Sequence, residues 1–346
     1  MKRHKERILT ILKFRRGYEH TSNYSYGNYF SSGLYWSAKF VVDMLAESGV
    51  HAKLVQVVDN NDIDREVAEF RPTVVIIEAL WVVPEKFDIL KKLHPHVRWI
   101  VRLHSNIPFL ASEGIAISWI KEYARRGVEV AVNEERALHD VREILRLHGL
   151  EDKVLYLPNY YPVEPRSSEK HNCSCCVRIG CYGAIRPLKN QLIQAIAAIQ
   201  FAESEGRKLH FHINATRVEL GEGSLENIRA LFRGTRHALI EDTWMSHHQF
   251  LKSLRHLDIG MQASLSETFS IVAADMINVG IPVVVSPEVK WASSISKVNP
   301  TDSSAIAKGL KKVLTFDGLD VILNRKGLKD FSRLSKEIWL YNFKEE

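Results

Sequence analysis

Short apolar runs of strand length alternate with segments of helical periodicity along most of the sequence. Residues 35–47 show the helical pattern, because Trp36, Phe40 and Met44 recur at every fourth position and so share one face of a helix. This alternation predicts a parallel sheet covered by helices on both faces, an α/β fold. The predicted strands are residues 8–12, 52–57, 73–77, 98–103, 129–132, 154–157, 177–182, 209–213, 238–240, 259–262 and 282–286. The predicted helices are residues 35–47, 63–70, 86–93, 112–127, 134–148, 190–204, 224–232, 246–254, 268–279 and 303–314.

The chain of 346 residues is long enough for two domains, each able to bury a core of its own. A segment rich in proline and polar residues interrupts the alternation near its middle. We predict one domain over residues 1–160, a linker over 161–176 and a second domain over 177–325. Residues 326–346 are expected to form a helical tail that packs back on the first domain. Because ligands bind outside the carboxyl ends of strands in such sheets, we expect a site in a cleft between the domains.

The composition is typical of a soluble protein, with 45% hydrophobic and 25% charged residues and no apolar run as long as a membrane span. The apolar stretch after the basic N-terminus is too short for a secretory signal, so we expect a cytoplasmic location. The net charge of +6 is concentrated near both ends of the chain. These charges are either a solvated surface or a binding surface for a polyanion, nucleic acid or an acidic membrane.

All four cysteines, Cys173, Cys175, Cys176 and Cys181, fall within nine residues. Structural zinc usually requires two separated pairs, so this spacing is a poor match even if His171 adds a ligand. We expect reduced cysteines at the linker and at the start of a strand, with a zinc site as the less favoured alternative.

The segment after the predicted strand 259–262 combines a polar loop with a predicted helix starting at Thr268. The backbone N–H groups of Thr268, Phe269 and Ser270 would be unpaired at such a start and could bind phosphate. Glu267 precedes them and Asp275 follows Glu267 by eight residues, about 12 Å along a helix. The two carboxylates could therefore accept hydrogen bonds from a donor sugar and from a ribose. Alternatively, Glu267 is only a helix-terminal charge and Asp275 is solvated.

This stretch resembles the E-x7-E signature of retaining glycosyltransferases of the GT-B fold, family 4. Asp275 replaces the second Glu of the pattern, and Thr268 and Ser270 replace glycines. The matching positions are Glu267, Phe269, Met276, Gly280, Pro282, Val283 and Val284.

Residues 180–190 resemble the family loop that opens the second domain. Lys189 stands six residues after Gly183, as in the family pattern, but Ala184 replaces the arginine that follows the glycine. The resemblance implies that Lys189 neutralises the donor diphosphate and that Gly183 lies beside the donor, with Arg186 as a substitute for the missing arginine. For a lysine and an arginine in a loop, simple solvation is the alternative.

The first half resembles the family more weakly. His104 follows the predicted strand 98–103 and would bind a hydroxyl of the donor sugar, unless it is a structural histidine. Gly33 stands before the first helix, where it would lie near the phosphate or the acceptor. Aromatic and cationic side chains of the preceding loop suit a sugar ring or a nucleobase, although the loop could equally pack on its own domain. The residues expected to bind the acceptor are Arg15, Arg16, Tyr18 and Tyr29.

The resemblance implies two Rossmann-like domains that face each other across a cleft, and a hexosyltransferase that retains the anomeric configuration. A UDP-sugar such as UDP-glucose is the expected donor, and no essential metal is expected because protein cations compensate the diphosphate. The first half is similar to phage-encoded members, which suggests double-stranded DNA with 5-hydroxymethylated pyrimidines as acceptor and the host cytoplasm as location. A small-molecule, lipid-linked or polysaccharide acceptor and a non-catalytic binding module are the alternatives. A dehydrogenase is disfavoured because no G-x-G-x-x-G follows a predicted strand.

Overall fold

A computed structural model describes residues 6–13, 33–164, 175–316 and 318–343. The described residues form two compact units. The first unit comprises residues 6–13, 33–162 and 332–343, and the second comprises residues 163–164, 175–316 and 318–331. Each unit contains its own sheet.

The first sheet has six parallel strands in the order β2-β1-β3-β4-β5-β6. Most residues of its strands are apolar, as expected for a parallel sheet covered on both faces, although the edge strand β2 is only partly buried. Its strands are β1 (Arg7–Lys13), β2 (His51–Val57), β3 (Val74–Glu78), β4 (Arg98–Leu103), β5 (Glu129–Val132) and β6 (Val154–Tyr156). Its helices are α1 (Gly33–Glu47), α2 (Asp62–Phe70), α3 (Lys86–Leu93), α4 (Ile107–Leu110), α5 (Ala116–Arg125) and α6 (Glu135–Arg146), with a short 3-10 helix at Glu151–Lys153.

The second sheet has five parallel strands in the order β11-β10-β7-β8-β9. The chain leaves β7 toward β8 and leaves β10 in the opposite direction toward β11, so the order reverses between β7 and β10. Its strands are β7 (Cys176–Gly180), β8 (Lys208–Asn214), β9 (Ala238–Asp242), β10 (Ile259–Gln262) and β11 (Val283–Val285). Its helices are α7 (Gln191–Ser204), α8 (Glu222–Phe232), α9 (His247–Leu254), α10 (Ile271–Val279) and α11 (Ser303–Thr315), with a 3-10 helix at Pro187–Lys189.

The last helix, α12 (Leu319–Phe343), begins in the second unit and ends in the first. Its Trp339 is fully buried in the core on one face of the first sheet, together with Ile76 and Ile100. The indole Nε1 of Trp339 donates a hydrogen bond of 2.7 Å to the carbonyl oxygen of Pro158. The C-terminal part of α12 therefore completes the core of the first unit.

The predicted α/β fold is confirmed, with two local errors in the predicted helices. The predicted helix 112–127 is wrong at its start, because residues 107–110 form a separate short helix and the main helix begins at Ala116. The predicted helix 268–279 begins only at Ile271, since Ser270 adopts a left-handed conformation with φ of 62°. Among the helices that the structure describes, none is both long and apolar enough to cross a bilayer.

Candidate functional site

Two loops meet at the carboxyl edge of the second sheet, where the strand order reverses. The loop of residues 181–190 follows β7, and the loop of residues 263–270 follows β10. The backbone N–H of Leu265 donates to the carbonyl oxygen of Leu188 at 2.8 Å. The Asn190 side chain donates to the carbonyl oxygen of Ala263 at 3.1 Å. These bonds hold the two loops together at the point where ligands bind in open α/β sheets.

Lys189 and Glu267 form an ion pair between these two loops. The ammonium of Lys189 donates to Oε2 of Glu267, and the backbone N–H of Thr268 donates to Oε1 at 3.2 Å. The lysine side chain keeps 22% of its surface exposed and the glutamate 12%. An ammonium and a carboxylate thus stand side by side within reach of solvent.

The charge of Glu267 is stabilised where it stands. Burial raises the pKa of its carboxyl group, but the Lys189 ammonium and the N–H groups of Thr268 and Ser270 together bring that pKa below its ordinary value. The carboxylate is therefore ionised at neutral pH and can accept hydrogen bonds from hydroxyl groups.

The predicted phosphate-binding residues do not form the first turn of a helix. The N–H groups of Thr268 and Ser270 donate to Glu267, and helix α10 starts one residue after Ser270. Phe269 is buried against Trp291 and Phe331. The predicted helix start was wrong because Glu267 binds these N–H groups locally and the backbone turns at Ser270. A role of these three residues in donor binding stays a prediction.

Asp275 lies in the second turn of α10 and is only 2% exposed. Its Oδ1 is 2.8 Å from Nε2 of His247. The predicted rise of a continuous helix from Glu267 to Asp275 is wrong, since only residues 271–275 of that interval are helical. The alternative of a solvated Asp275 is wrong as well. His247 was missed because a histidine near the start of a predicted helix carries no signal by itself.

Gly183 and Arg186 occupy the loop after β7. Gly183 has a φ of 117°, which a residue with a side chain rarely adopts, and its N–H donates to the Asn214 amide oxygen at 3.1 Å. The guanidinium of Arg186 pairs with Glu219, which also pairs with Arg217 at 2.5 Å. The structure thus places Arg186 in a pair with Glu219, while Lys189 pairs with Glu267.

A third group of polar residues surrounds Asp242 at the end of β9. The Tyr182 hydroxyl donates to Oδ2 of Asp242 at 2.7 Å, and Nδ1 of His212 lies 2.9 Å from the same oxygen. Burial raises the pKa of Asp242, but these two partners bring it below its ordinary value. The sequence prediction missed this group, which joins three different strand ends.

In the first unit His104 follows β4 and contacts the buried carboxylate of Glu78. Glu78 and Arg102 are 1% and 0% exposed, and Nη1 of Arg102 is 3.3 Å from Oε1 of Glu78. Burial raises the pKa of Glu78, but Arg102 and His104 bring it below its ordinary value. For His104, burial and Arg102 outweigh Glu78 and lower the pKa. The sequence signal that could have revealed this group is the presence of Glu78 and Arg102 in strands that are otherwise mostly apolar.

Arg102 is held on every polar side that the structure describes. Its Nε donates to the Leu157 carbonyl oxygen at 2.9 Å, and its Nη2 donates to the Asn159 amide oxygen at 2.7 Å. Its guanidinium also stacks on the Trp339 ring at 5.2 Å. The function predicted for His104, binding of a sugar hydroxyl, stays a prediction beside this structural role.

Several predicted residues lie outside the described part of the chain. They are Arg15, Arg16, Tyr18, Tyr29, His171 and Cys173. Gly33 is the first residue of α1.

Cys175 is exposed and Cys181 is buried, and burial raises the pKa of the Cys181 thiol to about 12. Within residues 6–13, 33–164, 175–316 and 318–343, no three His, Cys, Asp or Glu side chains cluster as metal ligands.

The two parallel sheets, each surrounded by helices, form an α/β structure with the GT-B fold. An apo structure of OtsA superposes with a TM-score of 0.70 at 11% identity, covering 98% of this chain and 99% of that chain. A structure described as trehalose-6-phosphate from E. coli bound with UDP-2-fluoro glucose gives a TM-score of 0.70 at 10% identity, with coverage of 98% and 99%. The UDP-forming alpha,alpha-trehalose-phosphate synthase from Burkholderia vietnamiensis gives 0.67 at 12% identity, with coverage of 98% and 96%.

No protein-family model matches the sequence, and a search of curated proteins finds no match. At identities of 10–12% the structural similarity establishes the fold and leaves the activity to be argued from the site.

Proposed function

We propose that this chain is a glycosyltransferase that takes a sugar from a nucleotide-diphosphate sugar, with a UDP-sugar as the expected donor. The observation that carries the proposal is the Lys189–Glu267 pair at the point where the strand order of the second sheet reverses. Structures of similar fold support it, since one is bound with UDP-2-fluoro glucose and another is described as UDP-forming.

Lys189 and Glu267 have different roles in donor binding. The ammonium of Lys189 can pair with the donor diphosphate and stabilise the charge that develops as this group leaves. The carboxylate of Glu267 accepts hydrogen bonds from sugar hydroxyls and orients the ring. Arg186 supports the phosphate only if it exchanges Glu219 for the donor. Because Lys189 compensates the diphosphate charge, we propose a reaction without an essential metal, and activity that survives a chelator is the expected result.

We further propose retention of the anomeric configuration. The bond from the anomeric carbon to the diphosphate oxygen breaks, and a bond to the acceptor oxygen forms on the same face of the sugar. The leaving phosphate oxygen takes the proton of the acceptor hydroxyl. NMR of the product anomer tests this step, and an inverted product would contradict it.

For the acceptor, the net charge of +6 and the exposed basic residues of α11 and α12 favour a polyanion. We therefore keep double-stranded DNA with 5-hydroxymethylated pyrimidines as the proposed acceptor. A small sugar acceptor is the second candidate, favoured by the similar fold of the trehalose-phosphate synthases. Acceptor binding that weakens steeply with salt is expected for DNA and not for a neutral sugar.

A panel of nucleotide sugars incubated with unmodified DNA, hydroxymethylated DNA, sugars and sugar phosphates tests these proposals. Mass spectrometry of nucleosides and sugars identifies the acceptor, and release of nucleotide reports donor cleavage. Sugar transfer that disappears in Glu267→Ala supports the assigned site, while full activity of that variant overturns it. A mass gain on sugars alone excludes DNA as the acceptor. A folded protein that neither transfers nor hydrolyses any donor would be a non-catalytic binding module.

A further inference from the structure

The carboxylate predicted to bind ribose lies below the edge of the sheet where ligands bind. Asp275 is the fifth residue of α10, so it lies about 6 Å along the helix from its first residue. It is also one methylene shorter than the glutamate of the resembled pattern. With 2% of its surface exposed, Asp275 is poorly placed to touch a ligand directly.

His247 contacts Asp275, and its side chain is 10% exposed against 3% for that of Asp275. His247 is the first residue of α9, directly after Ser246, whose side chain caps the helix together with Gln249. Helices α9 and α10 follow the parallel strands β9 and β10 of one sheet, so both begin at its carboxyl edge. His247 therefore lies closer to that edge than Asp275, while its Nε2 reaches Asp275 Oδ1 at 2.8 Å.

We propose that His247 binds the ribose hydroxyls of the donor nucleotide and that Asp275 is the positioning residue that orients its ring. Imidazole nitrogens exchange hydrogen bonds with hydroxyl groups, and a carboxylate on one nitrogen sets both the ring orientation and the proton position. The longer reach of the ring replaces the methylene that Asp275 lacks. This inference rests on the proposed use of a nucleotide-sugar donor.

Ribose selectivity is the property that this pair controls. Titration calorimetry with UDP, ADP and GDP first identifies the base that the wild-type protein binds. The same base is then compared as the ribose and the 2′,3′-dideoxyribose diphosphate. We expect His247→Ala to bind the ribose form about tenfold more weakly, the loss of one or two hydrogen bonds. Its affinity for the dideoxy form should equal that of the wild type.

Three further variants separate binding from folding. His248→Ala changes the adjacent exposed histidine of the same helix and should leave both affinities unchanged. His247→Gln keeps a side chain that forms hydrogen bonds and should restore part of the preference for ribose. Asp275→Asn should reduce the preference for ribose although His247 is still present.

In turnover assays His247→Ala should raise KM for the donor with little change in kcat, because the contact forms equally in the ground and transition states.

The outcomes separate the two proposals. Equal ribose preference in the wild type, His247→Ala and Asp275→Asn overturns the role of His247 but leaves the glycosyltransferase proposal standing. If the wild-type protein binds no nucleoside diphosphate, both proposals fail. Circular dichroism verifies that each variant is folded, and if His247→Ala is not, His247→Gln decides the question through the same ratio of affinities.

Discussion

Each unit carries a charged pair at the carboxyl ends of its strands, and the two pairs differ in what surrounds them. Glu78 and Arg102 face each other in register on β3 and β4 and are 0–1% exposed. Lys189 and Glu267 stand on loops and keep 22% and 12% of their side-chain surface exposed. Removing one partner of a buried ion pair strongly lowers the stability of the fold, because the other charge stays buried without compensation. A partly exposed pair can instead exchange one partner for a ligand. The comparison favours a structural role for the first pair and agrees with the binding role that we propose for the second.

The largest expected effect is on stability and concerns the first pair. Glu78→Gln leaves the Arg102 guanidinium without its carboxylate inside the first unit, and we expect a loss of about 3–5 kcal/mol in the free energy of unfolding. Urea unfolding followed by tryptophan fluorescence measures it. Glu267→Gln is the matched change in the second pair and should cost much less. Equal losses in both variants would remove the distinction between the pairs.

The next effect is on catalysis and concerns the second pair. Lys189→Met removes the cation that we assign to the diphosphate, and kcat should fall about 100–1,000-fold with little change in the thermal midpoint. Steady-state kinetics and a thermal melt measure the two quantities. Lys252→Met, at an exposed lysine of α9, is the control and should change neither. A Lys189→Met variant with unaltered kcat would make the pair structural.

A smaller effect on stability is expected at acidic pH, and it tests whether the charge of Glu78 stabilises the fold. The pKa of Glu78 is lower in the folded protein than its ordinary value of 4.5, so its ionised form contributes stability above about pH 4.5. That contribution is lost as the pH falls through the folded pKa. The difference in the free energy of unfolding between wild type and Glu78→Gln should therefore decrease below pH 4.5, which a series of urea titrations measures. A difference independent of pH would show that the charge of Glu78 is not responsible.

The smallest effect is expected for an exposed pair outside both groups. Arg229 pairs with Glu241 at 2.7 Å, with side chains 39% and 32% exposed. Solvent screens such pairs, so Arg229→Ala should leave the midpoint of urea unfolding within experimental error. A clear loss would mean that exposure does not separate the strong pairs of this protein from the weak ones.

The fold could be predicted from the sequence because its strands are short apolar runs between helices of clear periodicity. The strands 98–103, 129–132 and 259–262 were predicted with the bounds that the structure has. One of the two helix errors arose where a side chain competes with the helix for backbone N–H groups. Glu267 binds the N–H groups of Thr268 and Ser270, and local propensity does not reveal that competition.

Part of the candidate site could be predicted as well. Lys189 and Glu267 were selected from their loops, and the structure brings them into contact. Arg186 was selected by the same reasoning, but the structure pairs it with Glu219. His247 and Asp242 were missed because neither lies in a segment with a recognisable motif, and their contacts with Asp275 and Tyr182 appear only in the structure.

By itself the sequence determined the alternation of strands and helices, and hence two parallel sheets, because hydrophobic periodicity acts over short segments. It also determined which charged residues follow which strands. Only the tertiary structure decided that β7 lies beside β10, which brings Lys189 to Glu267. It likewise decided that β3 and β4 align Glu78 with Arg102. Strand order and register depend on how complete helices and strands pack, and no local pattern encodes that packing.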